Sequence, residues 1–171
     1  MNVYKLYASP MKKSSTLFLQ GVIVLVGIIA LAIMIRFPMT EGRAVNLDLF
    51  SIYADPFIVF GYLASIPFYF ALYQAFKLLG YIGQNKVFSP NSVKTLRTIK
   101  YCALIIGASI VMAAAYIRIS FDGNGDDDPA GFMAMCIVTT FISIVVATAA
   151  AVFEKTLQSA VDMKSENDLT V

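Results

Sequence analysis

The chain contains no histidine and no tryptophan, and its four long apolar runs contain no Asp, Glu, Lys or Arg. The first absence removes the commonest general base and the commonest transition-metal ligand. Serine and threonine are present, but no imidazole is available to activate them. Walker, dinucleotide, H-E-x-x-H and C-x-x-C patterns are missing too. The sequence therefore reads as non-enzymatic, with no cofactor. Without tryptophan, interfacial anchoring falls to Tyr and Phe. A charge at the centre of a membrane helix costs about 2.5 to 3.5 kcal/mol, so one is usually kept for proton relay or ion pairing. Its absence argues against a proton-coupled pump and leaves a passive pore or a neutral-group carrier open. Cysteine is scarce: Cys102 and Cys136 both lie in apolar runs. The topology below places them at different depths, so they read as small buried hydrophobes rather than a disulfide.

What is abundant is apolar sequence. Of 171 residues, 58% are hydrophobic and 14% charged, against about 25% charged in soluble domains. A helix crosses a hydrocarbon core of roughly 30 Å with about 20 apolar residues. Four stretches meet that requirement: 17–35, 57–76, 101–117 and 130–153. The first contains Gln20 as its strongly polar residue. The second opens on Asp55-Pro56 and contains Pro67, where a kink is expected. The first run is too long for a signal-peptide core of about 7 to 15 residues and ends without a small-residue cleavage pattern. It reads as an uncleaved helix.

The charges between the runs alternate. Net charge is +3 before the first run, −1 in the first connection, +5 in the second and −3 in the third. Lys and Arg in short loops stay in the cytoplasm. The expectation is an all-α, polytopic bundle of four transmembrane helices in a bacterial cytoplasmic membrane. Both termini and the second connection lie inside, and residues 154–171 form a cytoplasmic tail.

Helices in lipid associate through close packing and polar contacts. Ala103, Gly107 and Ala114 in the third run, and Ser143, Ala147 and Ala151 in the fourth, form small faces expected to touch neighbouring helices. Tyr62, Tyr69, Tyr73 and Phe76 align on the second, as a packing face or a ligand lining. A carrier or pore would need an oligomer, with Gln20, Tyr69, Tyr73, Gln74 and Thr140 lining one path.

Three segments outside the runs could carry function. In the second connection, Ser89-Pro90 is a helix start, with Ser as N-cap and Pro first in the helix. Val93, Leu96 and Ile99 then form one stripe and Lys94, Arg97 and Lys100 the next. This short basic amphipathic helix runs into the third span. With Lys86 it could contact an anionic inner leaflet or a cytoplasmic partner; it lies too near the membrane for direct nucleic-acid binding. In the third connection, Asp122, Asn124 and Asp126 have the first spacings of an EF-hand loop, but Asp127 and Met133 break the pattern. Helix capping and a charge signal account for those acids, with weak cation binding as the other reading. The tail continues helically through Leu157 and Val161 and turns polar; Glu166, Asp168 and Val171 could form a recognition peptide.

Two stretches carry a family resemblance. One is Ala71-Leu-Tyr-Gln-Ala-Phe-Lys-Leu-Leu-Gly-Tyr-Ile, continuing through Asn85-Lys-Val-Phe-Ser to Ile99-Lys-Tyr-Cys102. The other is Ser143-Ile-Val-Val-Ala-Thr with Ala160-Val-Asp-Met-Lys-Ser-Glu-Asn-Asp-Leu-Thr-Val171. With Asp127-Asp-Pro-Ala-Gly131, they make the chain resemble the bacterial four-helix membrane proteins grouped as domain of unknown function 2975. The resemblance brings no activity and no catalytic residues. It implies a cytoplasmic helix-turn-helix regulator as partner, and hence a regulatory or scaffolding role.

Overall fold

A computed structural model describes residues 13–40, 48–120 and 130–169. They form α1 (Lys13–Thr40), a short α2 (Leu49–Tyr53), α3 (Pro56–Gly83), α4 (Pro90–Ser120) and α5 (Ala130–Leu169). No strand occurs among the described residues. Four of the helices are long and apolar enough to cross a membrane. Their outward faces carry large apolar side chains such as Phe18, Ile33, Ile137 and Phe141, each at least 60% exposed. Apolar exposure on that scale is stable in hydrocarbon and not in water.

The helices pack as neighbours in chain order: α1 on α3, α3 on α4, and α4 most extensively on α5. Among the described residues, α1 and α5 share no packed face. The α4/α5 seam is built from small residues. Ala103, Gly107, Ser143, Ala147 and Ala150 are all buried. A Cβ placed on Gly107 would lie 3.4 Å from the Ser143 Cβ, so these helices approach almost to backbone contact. Ala114 and Ala151 are half-buried at the seam's edges.

α1 is held to α3 by polar contacts near its two ends and by close packing between and beside them. Gln20 Nε2 donates to the Phe76 carbonyl at 3.3 Å. Thr16 is buried against Gly83, and Gly27 leaves room for Leu72. Near the far end of α1, Pro38 lies inside the helix. A proline cannot donate to the carbonyl four residues earlier, which here belongs to Met34. Tyr62 Oη donates to that carbonyl at 3.0 Å, and Tyr53 Oη donates to the next one, Ile35, at 3.1 Å. The first helix thus extends past residue 35 with the carbonyl its proline frees satisfied from α3, and a second hydroxyl from α2 bound one residue on. Pro67 sits within an unbroken α3. Asp55 caps that helix through Oδ1, which accepts from the Phe57 amide at 2.7 Å.

Candidate docking site at the basic end

One end of the molecule collects the start of α1, the end of α3, the start of α4 and the end of α5. The turn from α3 to α4 has a fixed shape. α3 stops in a Schellman cap: the Lys86 amide donates to the Tyr81 carbonyl and the Asn85 amide to the Ile82 carbonyl. Asn85 takes the left-handed conformation this cap requires, with φ 56°. Four residues later Ser89 caps α4, its Oγ accepting from the Ser92 amide at 3.4 Å, with Pro90 as the first helical residue. Ser92 is completely buried, and its hydroxyl donates to the Lys86 carbonyl at 3.2 Å. The connection 84–89 is therefore bonded to the helices on both sides.

α4 then runs from Pro90 into its membrane-spanning part without a break. Val93 and Leu96 are buried and Ile99 is half-buried. Protein covers most of this stripe, which sequence periodicity leaves free to face lipid. The basic stripe beside it divides. Lys94 is exposed. Arg97 Nε and Lys100 Nζ both donate to Glu154, to Oε1 at 2.6 Å and Oε2 at 2.7 Å. Glu154 is 8% exposed and follows directly after the fourth apolar run. Hydrogen bonds from Lys100 and then Arg97 hold its carboxyl below the usual carboxylate range. Both carboxylate oxygens are occupied, so α4 and α5 are tied at the membrane boundary. Glu154 enters sequence reasoning only as the end of an apolar run. A lone acid there, facing a connection of five cations and no acid, was the available signal.

α5 continues as helix to Leu169. Of its candidate residues, Glu166 is exposed, Asp168 lies on the helix, and Val171 falls outside the described residues. Asp122, Asn124 and Asp126 fall outside them as well. Among the described residues no cluster of His, Cys, Asp or Glu could hold a metal ion. Between the α3–α4 turn and the far part of α5 lies an open groove of about 810 Å³. Tyr81, Phe88, Ala160 and Met163 supply its apolar surface, and Lys86 and Lys164 its charge. Lys94, with Arg97 and Gln158, borders a separate hollow of about 400 Å³.

Within one copy, four of the five polar groups expected to line a carrier path, Gln20, Tyr69, Tyr73 and Thr140, are spread over the bundle, and Gln74 lies on α3. Gln20 is bonded to α3, Tyr69 Oη contacts the Met34 sulfur at 3.7 Å, and Tyr73 is exposed. Thr140 lies on α5, which shares no packed face with α1. The hydroxyls of Ser109, Thr139, Ser143 and Thr148 each donate to the carbonyl four residues earlier. They are satisfied within their own helices.

The model of the family described as "Protein of unknown function (DUF2975)" matches residues 38–171, from the end of α1 through α5. The chain belongs to this family. It is 47% identical over 164 residues to the "Uncharacterized membrane protein YoaS" of Bacillus subtilis (strain 168), a match covering 94% of this chain and 100% of the relative. No solved structure matches. The DUF2975 match includes every element of the basic end except the start of α1, and the protein is a membrane protein of a family without a described activity.

Proposed function

We propose that this protein is a small regulatory or scaffolding protein of the bacterial plasma membrane that holds a docking platform in the cytoplasm. The observation that supports this reading is the continuation of α5 for 16 residues beyond the fourth apolar run. At 1.5 Å per residue, that is about 24 Å of helix. Glu154 and the buried Ser92 fix this extension and the α3–α4 turn relative to one another. A signal for topology needs only unpaired lysines; a braced surface beyond the lipid suits recognition. The charge alternation along the chain favours the cytoplasmic side for this end, with Lys94 near anionic headgroups.

Arg97 and Lys100 brace the platform, while Lys86, Lys94, Glu166 and Asp168 are its recognition groups. A soluble helix-turn-helix regulator, implied by the family resemblance, is the partner to test. The full-length protein, tagged at its N-terminus and extracted in mild detergent, is expected to co-purify with that regulator. Reversing Lys86 and Lys94 to Glu should abolish the association. A regulator that never associates, with a cell indifferent to both reversals, refutes this function. A reporter fused after Leu169 that is active only when exported would refute the orientation.

A further inference from the structure

The cations of the basic end are not equivalent. Arg97 and Lys100 share one carboxylate, that of Glu154. Lys86 and Lys164, both exposed, line the larger groove, and no Asp or Glu lines it with them. Beside these two charges, Phe88 is 58% exposed and Met163 60% exposed. A pair of ammonium groups sharing a groove with an aromatic and a thioether is a mixed surface. Neither a bare anion nor a purely apolar ligand would use all of it.

The groove's depth separates lipid from soluble protein as its occupant. The headgroup layer adds about 5 to 7 Å on each side of the hydrocarbon. Along α3, Tyr81 lies about 7 Å past the end of the apolar run. Along α5, Ala160 lies about 10 Å past it and Lys164 about 16 Å. The groove therefore opens at the outer edge of the headgroups and extends into water, where lipid phosphate does not reach Lys164.

We propose that this groove is the docking site for an amphipathic helical segment of a soluble protein. Asp or Glu side chains of that segment meet Lys86 and Lys164, and a large apolar side chain covers Phe88 and Met163. This rests on the docking function proposed above and assigns it a place and a chemistry. Apolar anchors supply the affinity of a helix seated in a groove, and the lysines select against basic segments.

The test uses the full-length protein in cells, with the photo-crosslinking residue p-benzoylphenylalanine replacing Phe88, Met163, Lys94 or Ile137. Ile137, 68% exposed within the fourth apolar run, is the lipid-facing control. Positions 88 and 163 are expected to give the same protein adduct. Its crosslinked peptide should carry Asp or Glu within one helical turn of a large apolar residue. Lys86→Glu with Lys164→Glu should lower the yield about tenfold, and Asp/Glu→Lys changes in that peptide should restore it. Adducts only to lipid or to a second copy of this chain overturn the proposal. So do an adduct indifferent to the charge reversal and a reversal that the swap does not rescue. A protein adduct at position 94 with none at 88 or 163 overturns the groove and leaves the docking function standing. No protein adduct at any of the three positions overturns both.

Discussion

Leucine at position 107 should separate α4 from α5, and its cost follows from one distance. A Cβ at 107 stands 3.4 Å from the Ser143 Cβ, so Gly107→Ala is tolerated with a small adjustment. Leucine adds three more carbon atoms in a seam where Ala103, Ser143 and Ala147 are already buried. Overfilling a packed site costs about 1 to 3 kcal/mol. For a chain of this length, that corresponds to roughly 2 to 12 °C in Tm. Gly61→Leu is the matched control, since nothing lies within 4 Å of a Cβ there. It gains the same helix propensity without the collision and should melt at the parent temperature or up to about 4 °C above it. The protein carries its own probe: Cys102 and Cys136 are free and buried, so a thiol-reactive fluorogenic maleimide reports unfolding in detergent. Ser143→Gly in the Gly107→Leu background should recover part of the loss, as expected for residues in contact. Identical melting of the two leucine variants, or no recovery from Ser143→Gly, would refute the seam.

Other perturbations test the remaining contacts. Gly83→Ala places a Cβ 3.1 Å from the Thr16 Cγ2; it should lower Tm by a few degrees, and Thr16→Ser, which removes that methyl, should reverse the loss. Asn85→Gly should leave Tm unchanged or raise it, whereas Asn85→Val should cost about 1 to 2 kcal/mol because φ there is 56°. Glu154 has a depressed carboxyl pKa, so its contribution is intact above the ordinary carboxylate value of about 4.3 and fades as pH falls through the lower folded value. Melting curves should show no effect of this pair between pH 7 and 5 and a decline below that range; Glu154→Gln should flatten that decline.

The membrane helices were legible in the sequence because charge is missing from four long runs, and lipid tolerates nothing else so well. Their ends were less so. α1 outruns its apolar core because Pro38, which looks like a terminator, has its freed carbonyl answered by Tyr62, 24 positions along the chain. α5 outruns its own core to Leu169 because no Gly or Pro interrupts it after Gly131. The small faces were readable from four-residue spacing, and Gly107 against Ser143 realises them. Periodicity could show that Val93 and Leu96 share a face, but not that protein rather than lipid covers most of it. Nor could it show that Glu154 bridges Arg97 and Lys100, since that pairing joins residues more than 50 positions apart. Lys86 and Lys164 share a groove for the same reason: folding, not sequence spacing, makes them neighbours.

The proline near the end of α1 blunts an ordinary improvement. Alanine at position 38 would let Met34 recover a backbone partner inside its own helix, the usual route to a sturdier rod. Yet that oxygen already accepts from the Tyr62 phenol, so the new amide would add a second bond to a satisfied acceptor rather than rescue an orphan. Tyr62→Phe is therefore the costlier change at this corner, since beside Pro38 it would strip the Met34 carbonyl of the donor that answers it.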